Sequence, residues 1–228
     1  MGSCPPKRRL VITIDGPAGA GKSTTARQLA SRLGYTYLDT GALYRGIAWK
    51  VKISGVDYSN TNQLERLLST MDLRVSVQNG ETRVLVDSND VTAQLRSPDI
   101  SRLASSVAAI PTVREWALPI QQRCAETGGI VVEGRDIGTC VFPDADAKFF
   151  LDADVKTRTN RRFQDELKVG QGGDRRKVQD QLLARDAQDR SRKIAPLKPA
   201  PDAVVIDSSL LTVDQVVDKM MEIISARR

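Results

Sequence analysis

The fold of this chain is decided by the stretch Gly16-Pro17-Ala18-Gly19-Ala20-Gly21-Lys22-Ser23. The stretch matches the pattern G-x-x-x-x-G-K-[ST] at every fixed position, between an apolar run at 10–14 and a helical pattern that begins near residue 22. A strand, a glycine-rich loop and a helix in this order form a phosphate cradle, because glycines let backbone N–H groups turn inward around an anion. The sequence therefore predicts a nucleotide-binding loop; a glycine-rich turn with an ordinary surface lysine is the alternative.

Two side chains of the loop have expected chemical roles. Lys22 is expected to reach the terminal phosphates, and the Ser23 hydroxyl is expected to ligate Mg²⁺. The N-terminus of the following helix adds partial positive charge. The predicted donor-nucleotide residues are Gly16, Pro17, Ala18, Gly19, Ala20, Gly21, Lys22, Ser23 and Thr24.

Composition limits the class of protein. With 228 residues, of which 40% are hydrophobic and 27% charged, the chain is expected to be one globular domain or a core with a small insertion. The net charge of +6 comes from interleaved basic and acidic residues, which favours a phosphorylated small molecule over nucleic acid as the ligand. No run approaches the ~18 apolar residues of a membrane span, so we expect a cytoplasmic protein without a membrane partner.

Cysteine and histidine usage narrows the chemistry further. The three cysteines, Cys4, Cys124 and Cys140, show no C-x-x-C spacing and are expected to be reduced, buried thiols. The chain has no histidine, which excludes His-based catalytic triads and His-ligated metal sites. The tail 1–9 lacks the apolar core of a secretory signal and is expected to be frayed.

Hydrophobic periodicity predicts alternating strands and helices. The expected core strands are 10–15, 35–39, 130–132, 148–151 and 203–206, and the expected helices are 22–33, 40–53, 99–109, 112–126, 154–168, 174–191 and 212–226. Thr40 is the expected N-cap of the second helix. This order predicts an α/β fold with a parallel sheet between two helical layers, the core of a P-loop kinase.

A different pattern occupies residues 57–115. A short helix at 60–70 precedes two alternating strands, 73–78 and 82–87, which are joined through Asn79-Gly80. An Asn-Gly pair between alternating segments is typical of a hairpin, and a third short strand is expected at 90–92. These features predict an inserted antiparallel subdomain.

Charged side chains follow several of the predicted strands. Arg135-Asp136 comes after strand 130–132 and so lies on the same sheet edge as the glycine loop; a structural ion pair is the alternative. Arg185, Asp189 and Arg192 have spacings of four and three, which place them on one helical face, as ordinary surface pairs also would be.

Two further arginine groups suit phosphate binding. Arg158, Arg161 and Arg162 lie on a helix before the flexible stretch Gly170–Gly173 and could close over phosphates, although a solvated basic face has the same pattern. Tyr44-Arg45 starts the helix after Asp39-Thr40-Gly41, where a planar guanidinium can hold a monophosphate through two hydrogen bonds.

Several motifs in order make the chain resemble the bacterial-type cytidylate kinases, within the nucleoside-monophosphate kinase group. The resemblance covers residues 10–225 and is carried by the segments 12–17, 38–45, 134–139, 141–145, 190–192 and 195–197. It implies a P-loop core at 10–56 and 116–228, an NMP-binding insertion at 57–115 and a short helical lid at 155–175. It also implies a monomeric enzyme that uses ATP and Mg²⁺ on CMP or dCMP.

The resemblance assigns roles to residues. Ser105, Arg114 and Asp136 resemble the residues that recognise cytosine, whose N4 amino group suits a carboxylate and whose N3 and O2 suit Ser and Arg donors. By the same resemblance, the CMP phosphate side is held by Thr40, Tyr44, Arg45 and Arg135, the sugar and phosphate by Arg185, Asp189 and Arg192, and the ATP phosphates by Arg158 and Arg162. The expected catalytic residues are Lys22, Arg135, Arg158 and Arg162. Ser23 and Gln188 depart from some relatives, which carry Gly and Arg there.

Three other functions stay open from the residues alone. One is a P-loop kinase for UMP, dTMP or a sugar acid. Another is a switch GTPase or a nucleic-acid-dependent ATPase, although no N-K-x-D stretch is present. The third is a non-catalytic nucleotide sensor, against which the intact Lys22 and Ser23 argue.

Overall fold

The computed structural model describes residues 9–78, 81–168, 170 and 173–226. The strands are β1 (Val11–Asp15), β2 (Thr36–Asp39), β3 (Leu73–Gln78), β4 (Glu81–Val86), β5 (Asn89–Asp90), β6 (Ile130–Glu133), β7 (Ala147–Asp152) and β8 (Val204–Asp207). The helices are α1 (Lys22–Leu33), α2 (Thr40–Ser54), α3 (Thr61–Thr70), α4 (Pro98–Val107), α5 (Pro111–Arg123), α6 (Val155–Lys168), α7 (Arg175–Arg190) and α8 (Val213–Ala226).

A five-stranded parallel sheet forms the centre of the molecule, with the strand order β2-β6-β1-β7-β8. Alternate residues of β6 belong to different apolar clusters, since Val131 packs with α1 and α8 whereas Ile130 and Val132 pack with Leu38 and Ile137. Because side chains alternate between the two faces of a strand, these clusters lie on opposite faces of the sheet. The predicted three-layer α/β architecture is confirmed.

The central position of β1 determines where the glycine loop lies. Ile12 and Ile14 of this strand have no exposed surface, and β6 and β7 flank it. The loop leaves β1 at the carboxyl edge of the sheet, where ligands bind in open parallel α/β folds. The apolar strand thus places residues 16–23 in the middle of that edge.

A second, antiparallel sheet of order β3-β4-β5 lies within the predicted insertion. Helix α2 packs closely against it, because a Cβ added at Gly46 would stand 2.9 Å from Leu73 Cδ1 and 3.0 Å from Val84 Cγ1. Ile47 of α2 belongs to the same buried cluster as Leu64 of α3. Helix α2 therefore completes the apolar core of the inserted segment.

Three local expectations need correction. The N-cap of α2 is Asp39, whose Oδ1 accepts a hydrogen bond from the Ala42 N–H at 3.1 Å, and not Thr40. The third short strand pairs at 89–90 rather than at 90–92. Residues Ile137–Val141 form a turn of π-helix, which the sequence patterns did not indicate.

The cysteines also differ from expectation. Cys124 and Cys140 are exposed, so the prediction of buried thiols is wrong for both. In each case the next residue, Ala125 or Val141, takes the buried position in the core and the cysteine faces outward. Cys4, the tail 1–8, the Asn79-Gly80 turn and residues 171–172 lie outside the described residues. Within the described ranges, no helix is both long and apolar enough to cross a membrane.

The sheet core generates a stability prediction. Phe149 of β7 is 1% exposed, and Phe149→Ala should lower the free energy of unfolding by about 3–5 kcal/mol, because burial is lost and a cavity is left. Urea denaturation measures the change. Leu210→Ala, at a side chain that is 95% exposed, is the control and should shift it by less than about 0.5 kcal/mol. A Phe149→Ala loss below about 1 kcal/mol would contradict this packing.

Candidate active site

One cavity of about 1120 Å³ opens at the carboxyl edge of the parallel sheet. It is lined by every site residue predicted from the sequence except Gly16, Pro17 and Arg158. The glycine loop forms one side, and side chains from α2, α4, β6 and α7 form the other. Residues as far apart in the sequence as Ala18 and Arg192 therefore face one space.

The loop backbone requires glycine at two positions. Gly16 has a φ of 146°, and an added Cβ would stand 2.0 Å from the Leu151 carbonyl oxygen of β7. Gly21 has a φ of 91° and is the N-cap of α1. Both are left-handed conformations that L side chains rarely adopt. They let the chain leave β1, turn tightly and enter α1 with Lys22 as the first helical residue.

Lys22 is buried at the floor of the cavity. Its ammonium group donates to the Pro17 carbonyl oxygen at 2.7 Å, and the residue is only 6% exposed. Burial, reinforced by the positive charge of Arg135, lowers the pKa of Lys22 to about 7. An anionic phosphate in the cavity would compensate this charge.

Two carboxylates, the buried Glu133 and the partly buried Asp39, flank the loop. They are register partners at the ends of β2 and β6, and both line the cavity with Ser23. Burial and the negative charge of Asp39 raise the pKa of Glu133, which also accepts a hydrogen bond from the Tyr37 hydroxyl. Sequence reasoning did not select either carboxylate, although each is the last residue of a strand that ends at the ligand-binding edge.

These oxygens fit Mg²⁺ chemically. Mg²⁺ prefers carboxylate, hydroxyl and water oxygens and usually takes one or two carboxylates together with substrate phosphates. Ser23, Asp39 and Glu133 offer such a set on one side of the loop. Among the described residues there is no group of three or more acidic, histidine or cysteine side chains that could enclose a metal ion by itself.

Asp189 of α7, across the cavity from the glycine loop, accepts hydrogen bonds from three side chains. Its Oδ1 accepts hydrogen bonds from the Ser105 hydroxyl at 2.8 Å and from Arg192, and its Oδ2 accepts one from Arg135 Nε at 3.1 Å. Burial acts to raise the pKa of Asp189, but Arg135 and Arg192 outweigh it and lower the pKa overall. The structure thus joins Arg135 and Ser105 to Asp189 of α7 and to Arg192, which lies beyond the end of α7 and not, as predicted, on its helical face.

Arg185, on the same helix, retains an unused donor. Its Nε is buried and has no hydrogen-bond partner among the described residues, and the same holds for Arg192 Nε. Burial and the charge of Arg135 lower the pKa of Arg185 to about 9. Several guanidinium groups crowd this part of the cavity, which favours an anionic ligand.

Arg114 and Asp136 form an ion pair in the lining of the cavity. Arg114 Nη2 donates to Asp136, and Arg114 Nη1 donates to the Ala108 carbonyl oxygen at 3.2 Å. Tyr44 lies beside the pair, with its ring centre 5.9 Å from the Arg114 guanidinium carbon. Burial raises the pKa of Asp136, and Arg114 opposes the rise. The pair thus offers a ligand a hydrogen-bond donor, Arg114, next to a hydrogen-bond acceptor, Asp136.

The three arginines of α6 are placed differently from one another. Arg162 lines the cavity, and its side chain is 39% exposed and donates to Glu166 at 3.0 Å. Arg161 donates to the Ala20 and Ser208 carbonyl oxygens. Arg158 is buried behind the loop and does not line the cavity, so the expectation that it reaches the ATP phosphates is not met in this arrangement.

Asp15 is a further residue that sequence reasoning did not select. Its two carboxylate oxygens accept the N–H groups of Ile137 and Gly138, each at 2.8 Å. Burial raises its pKa to about 6. Asp15 therefore ties the end of β1 to the segment that carries Arg135 and Asp136.

A phosphate-binding loop that shares its cavity with a second cluster of arginines is typical of P-loop kinases for small molecules. In these enzymes the phosphoryl donor and the phosphoryl acceptor must lie next to each other. The comparison with known proteins narrows this class. The sequence profile of the cytidylate kinase family matches residues 12–226, and the chain belongs to that family. The family is one of nucleoside-monophosphate kinases, which makes the chain a phosphotransferase.

Individual relatives of the chain are cytidylate kinases as well. The chain is 42% identical to a cytidylate kinase of Syntrophotalea carbinolica over 97% of this chain and 94% of the relative. It is 43% identical to a cytidylate kinase of Geobacillus kaustophilus over 97% of this chain and 99% of the relative. A crystal structure of an uncharacterized protein from Eubacterium ventriosum shares the fold alone, with a TM-score of 0.51, 13% identity and coverage of 96% and 99%.

Buried Lys22 generates a prediction about stability. Its folded pKa of about 7 lies below the ordinary 10.5, so the unfolded chain binds more protons between these values and stability rises with pH there. Lys22→Met removes the buried ammonium group and should raise the free energy of unfolding at pH 6.5 by about 1–3 kcal/mol, a gain that shrinks towards pH 10. Urea denaturation at both pH values measures it.

Lys148→Met is the matched control, because this buried lysine donates to the Asp202 carboxylate at 2.9 Å. Its loss should destabilise the protein at pH 6.5 instead. If Lys22→Met is destabilised as much as Lys148→Met, Lys22 does not carry an uncompensated buried charge.

Proposed function

We propose that this protein transfers the γ-phosphoryl group of ATP to the α-phosphate of CMP or dCMP and releases ADP with CDP or dCDP. The observation that carries the proposal is the Arg114–Asp136 pair, which lines the same cavity as the Lys22 loop. Membership in the cytidylate kinase family supports the same acceptor.

The acceptor base would be recognised by complementary hydrogen bonds. Cytosine presents an N4 amino donor and the acceptors N3 and O2. The Asp136 carboxylate can accept from N4, while Arg114 and the Ser105 hydroxyl can donate to the ring acceptors. Uracil carries O4 in place of the amino group, so its oxygen would face a carboxylate and leave it unpaired. This arrangement disfavours UMP.

The acceptor phosphate would meet the guanidinium groups between the base pocket and the loop. The residues proposed to hold the phosphate and sugar are Thr40, Tyr44, Arg45, Arg135, Arg185, Asp189 and Arg192. Arg45 is preoriented by Asp39, to which its Nη2 donates at 2.7 Å. The unpaired Nε donors of Arg185 and Arg192 are available for phosphate oxygens.

No general base is required for this reaction. The attacking oxygen of the CMP phosphate is already anionic; its bond to the γ-phosphorus forms as the bond from phosphorus to the β,γ-bridging oxygen breaks. Catalysis then depends on positioning and on stabilising the charge of the transferring group. Lys22, Arg135 and Arg162 are proposed for that role, which suits a chain without histidine.

Mg²⁺ is proposed to accompany ATP, held by Ser23 and, directly or through water, by Asp39 and Glu133. When bound, it would neutralise negative charge between the β- and γ-phosphates. Burial and, second to it, the negative charge of Asp39 raise the pKa of Glu133, and a nearby cation would oppose both effects.

The proposal also includes the domain roles. Residues 10–56 and 116–228 are the P-loop core, 57–115 the NMP-binding insertion and 155–175 the lid. The hydrogen bond from Ser105 in α4 to Asp189 in α7 supports an insertion that closes the acceptor pocket against the core. We further propose a cytoplasmic monomer in pyrimidine nucleotide metabolism, in keeping with the cytosine nucleotides proposed as substrate and product.

An acceptor panel tests the proposed function. With ATP, the wild-type protein should phosphorylate CMP or dCMP with a kcat/KM at least ~100-fold above that for UMP, because only cytosine satisfies Asp136. Asp136→Asn should lower kcat/KM for CMP by ~10–100-fold and narrow the CMP/UMP ratio, since an amide can also donate to uracil O4. A coupled ADP-release assay measures both. A preference for UMP would contradict the assignment.

The donor half is tested by Lys22→Met. The loss of its positive charge should lower kcat by ~100–1000-fold, with the KM for CMP little changed, because Lys22 acts on the charge of the transferring phosphoryl group. The matched control is Lys219→Met on the exposed side of α8, which should leave kcat unchanged. Retention of most of the transfer rate in a folded Lys22→Met protein would exclude Lys22 from catalysis.

A further inference from the structure

The backbone of Ala18, in the middle of the glycine loop, is held by a buried ion pair. Its N–H donates to Asp186 Oδ1 at 3.3 Å, and its carbonyl oxygen accepts from Arg158 Nη1 at 3.1 Å. Arg158 Nη1 also donates to Asp186 Oδ2. The pair therefore satisfies both polar groups of one loop residue at once.

The ion pair is part of the protein interior behind the loop. Arg158 is 3% exposed and Asp186 is 2% exposed, and neither side chain lines the cavity. Arg158 is anchored from its other side, where Nε donates to the Ala153 carbonyl oxygen at 2.9 Å. The Ala18 carbonyl, with its partial negative charge, is thus drawn towards the side of the loop that faces away from the cavity.

Helix α6 also touches the loop through its backbone. A Cβ added at Gly19 would stand 2.9 Å from the Arg158 carbonyl oxygen. The loop is held between this contact and Asp186 of α7, so the two helices together determine the position of residues 18–19. A loop that must present N–H groups to phosphate benefits from such preorganisation, because less order has to be imposed on binding.

Charge adds a second requirement. A carboxylate that contacts the loop backbone would repel the phosphates of a nucleotide unless a cation neutralised it. Arg158 supplies that cation. Lys22 lines the cavity instead, and its ammonium group donates to the Pro17 carbonyl oxygen. The effect of the two side chains on phosphate binding is therefore expected to depend on both together.

We propose that Asp186 and Arg158 are positioning residues for the donor nucleotide: they hold Ala18 so that the loop keeps its phosphate-binding shape. This inference rests on the proposed use of ATP. It gives Arg158 a role behind the loop instead of one above the phosphates and assigns a role to Asp186, to which the sequence patterns gave none.

The test removes both charges together, because a single substitution leaves an uncompensated buried charge that can prevent folding. The double variant R158M/D186L replaces the ion pair with apolar side chains and should fold. Isothermal titration with ATP should show a dissociation constant at least tenfold higher than in the wild type. The KM for ATP should rise by a similar factor, while the KM for CMP stays within twofold.

A milder variant and a control complete the test. Asp186→Asn keeps an oxygen for the Ala18 N–H but leaves the Arg158 charge uncompensated, so its fold is checked first by circular dichroism; the folded variant should bind ATP at least threefold more weakly. Thr159→Ala is the matched control: Thr159 is 1% exposed on α6, and within the described part of the chain its hydroxyl bonds only to the Val155 carbonyl oxygen of the same helix, at 2.7 Å. It should leave ATP binding within twofold.

Folded variants R158M/D186L or Asp186→Asn that bind ATP within twofold of the wild type would overturn the inference. If all variants, including Thr159→Ala, weaken ATP and CMP alike, the pair is merely structural and the inference is equally wrong. Failure of the proposed function looks different: the wild type would then bind ATP yet transfer no phosphate to CMP, and the ATP titrations would still decide the role of the pair.

Discussion

The arrangement of the site depends on one short-range interaction, the acceptance of two backbone N–H groups by Asp15. These hydrogen bonds, from Ile137 and Gly138, connect the last residue of β1 to the segment that follows β6. The donor loop begins directly after Asp15, and Arg135 and Asp136 directly precede Ile137. Together with the pairing of β1 and β6, this buried carboxylate therefore holds the donor loop and the segment of Arg135 and Asp136 close to each other.

The cavity places charge where solvent cannot stabilise it. Lys22 and Arg185 have lowered pKa values because burial and neighbouring cations disfavour their charged forms. Burial and the charge of Asp39 raise the pKa of Glu133, and burial raises the pKa of Asp136 although Arg114 opposes the rise. A protein can bury charged groups at a functional site, at a loss of stability, when the rest of the core stabilises the fold sufficiently. Charged ligands would supply an opposite charge next to these buried side chains. Ligand binding would therefore offset the unfavourable electrostatic energy of the empty site.

Sequence patterns predicted most of the fold and much of the site, because both follow from local rules. Apolar runs of four or five residues predict buried parallel strands, and the carboxyl ends of such strands share one edge. Asp39, Glu133 and Asp15 were missed because nothing in their own segments distinguishes a strand-end carboxylate that meets a neighbour from one that meets water. The pairing of Asp39 with Glu133 depends on the register between β2 and β6.

By itself, the sequence determined the glycine loop, the strand before it and the placing of Arg185 and Asp189 on one face of α7, since turn chemistry and helical spacing are local properties of the chain. Only the tertiary structure decided which arginines face the cavity. Arg158 and Arg162 are four residues apart on α6, yet the first is buried against Asp186 and the second lines the cavity. The difference arises from the packing of α7 and the loop against α6, which no spacing within one helix can reveal.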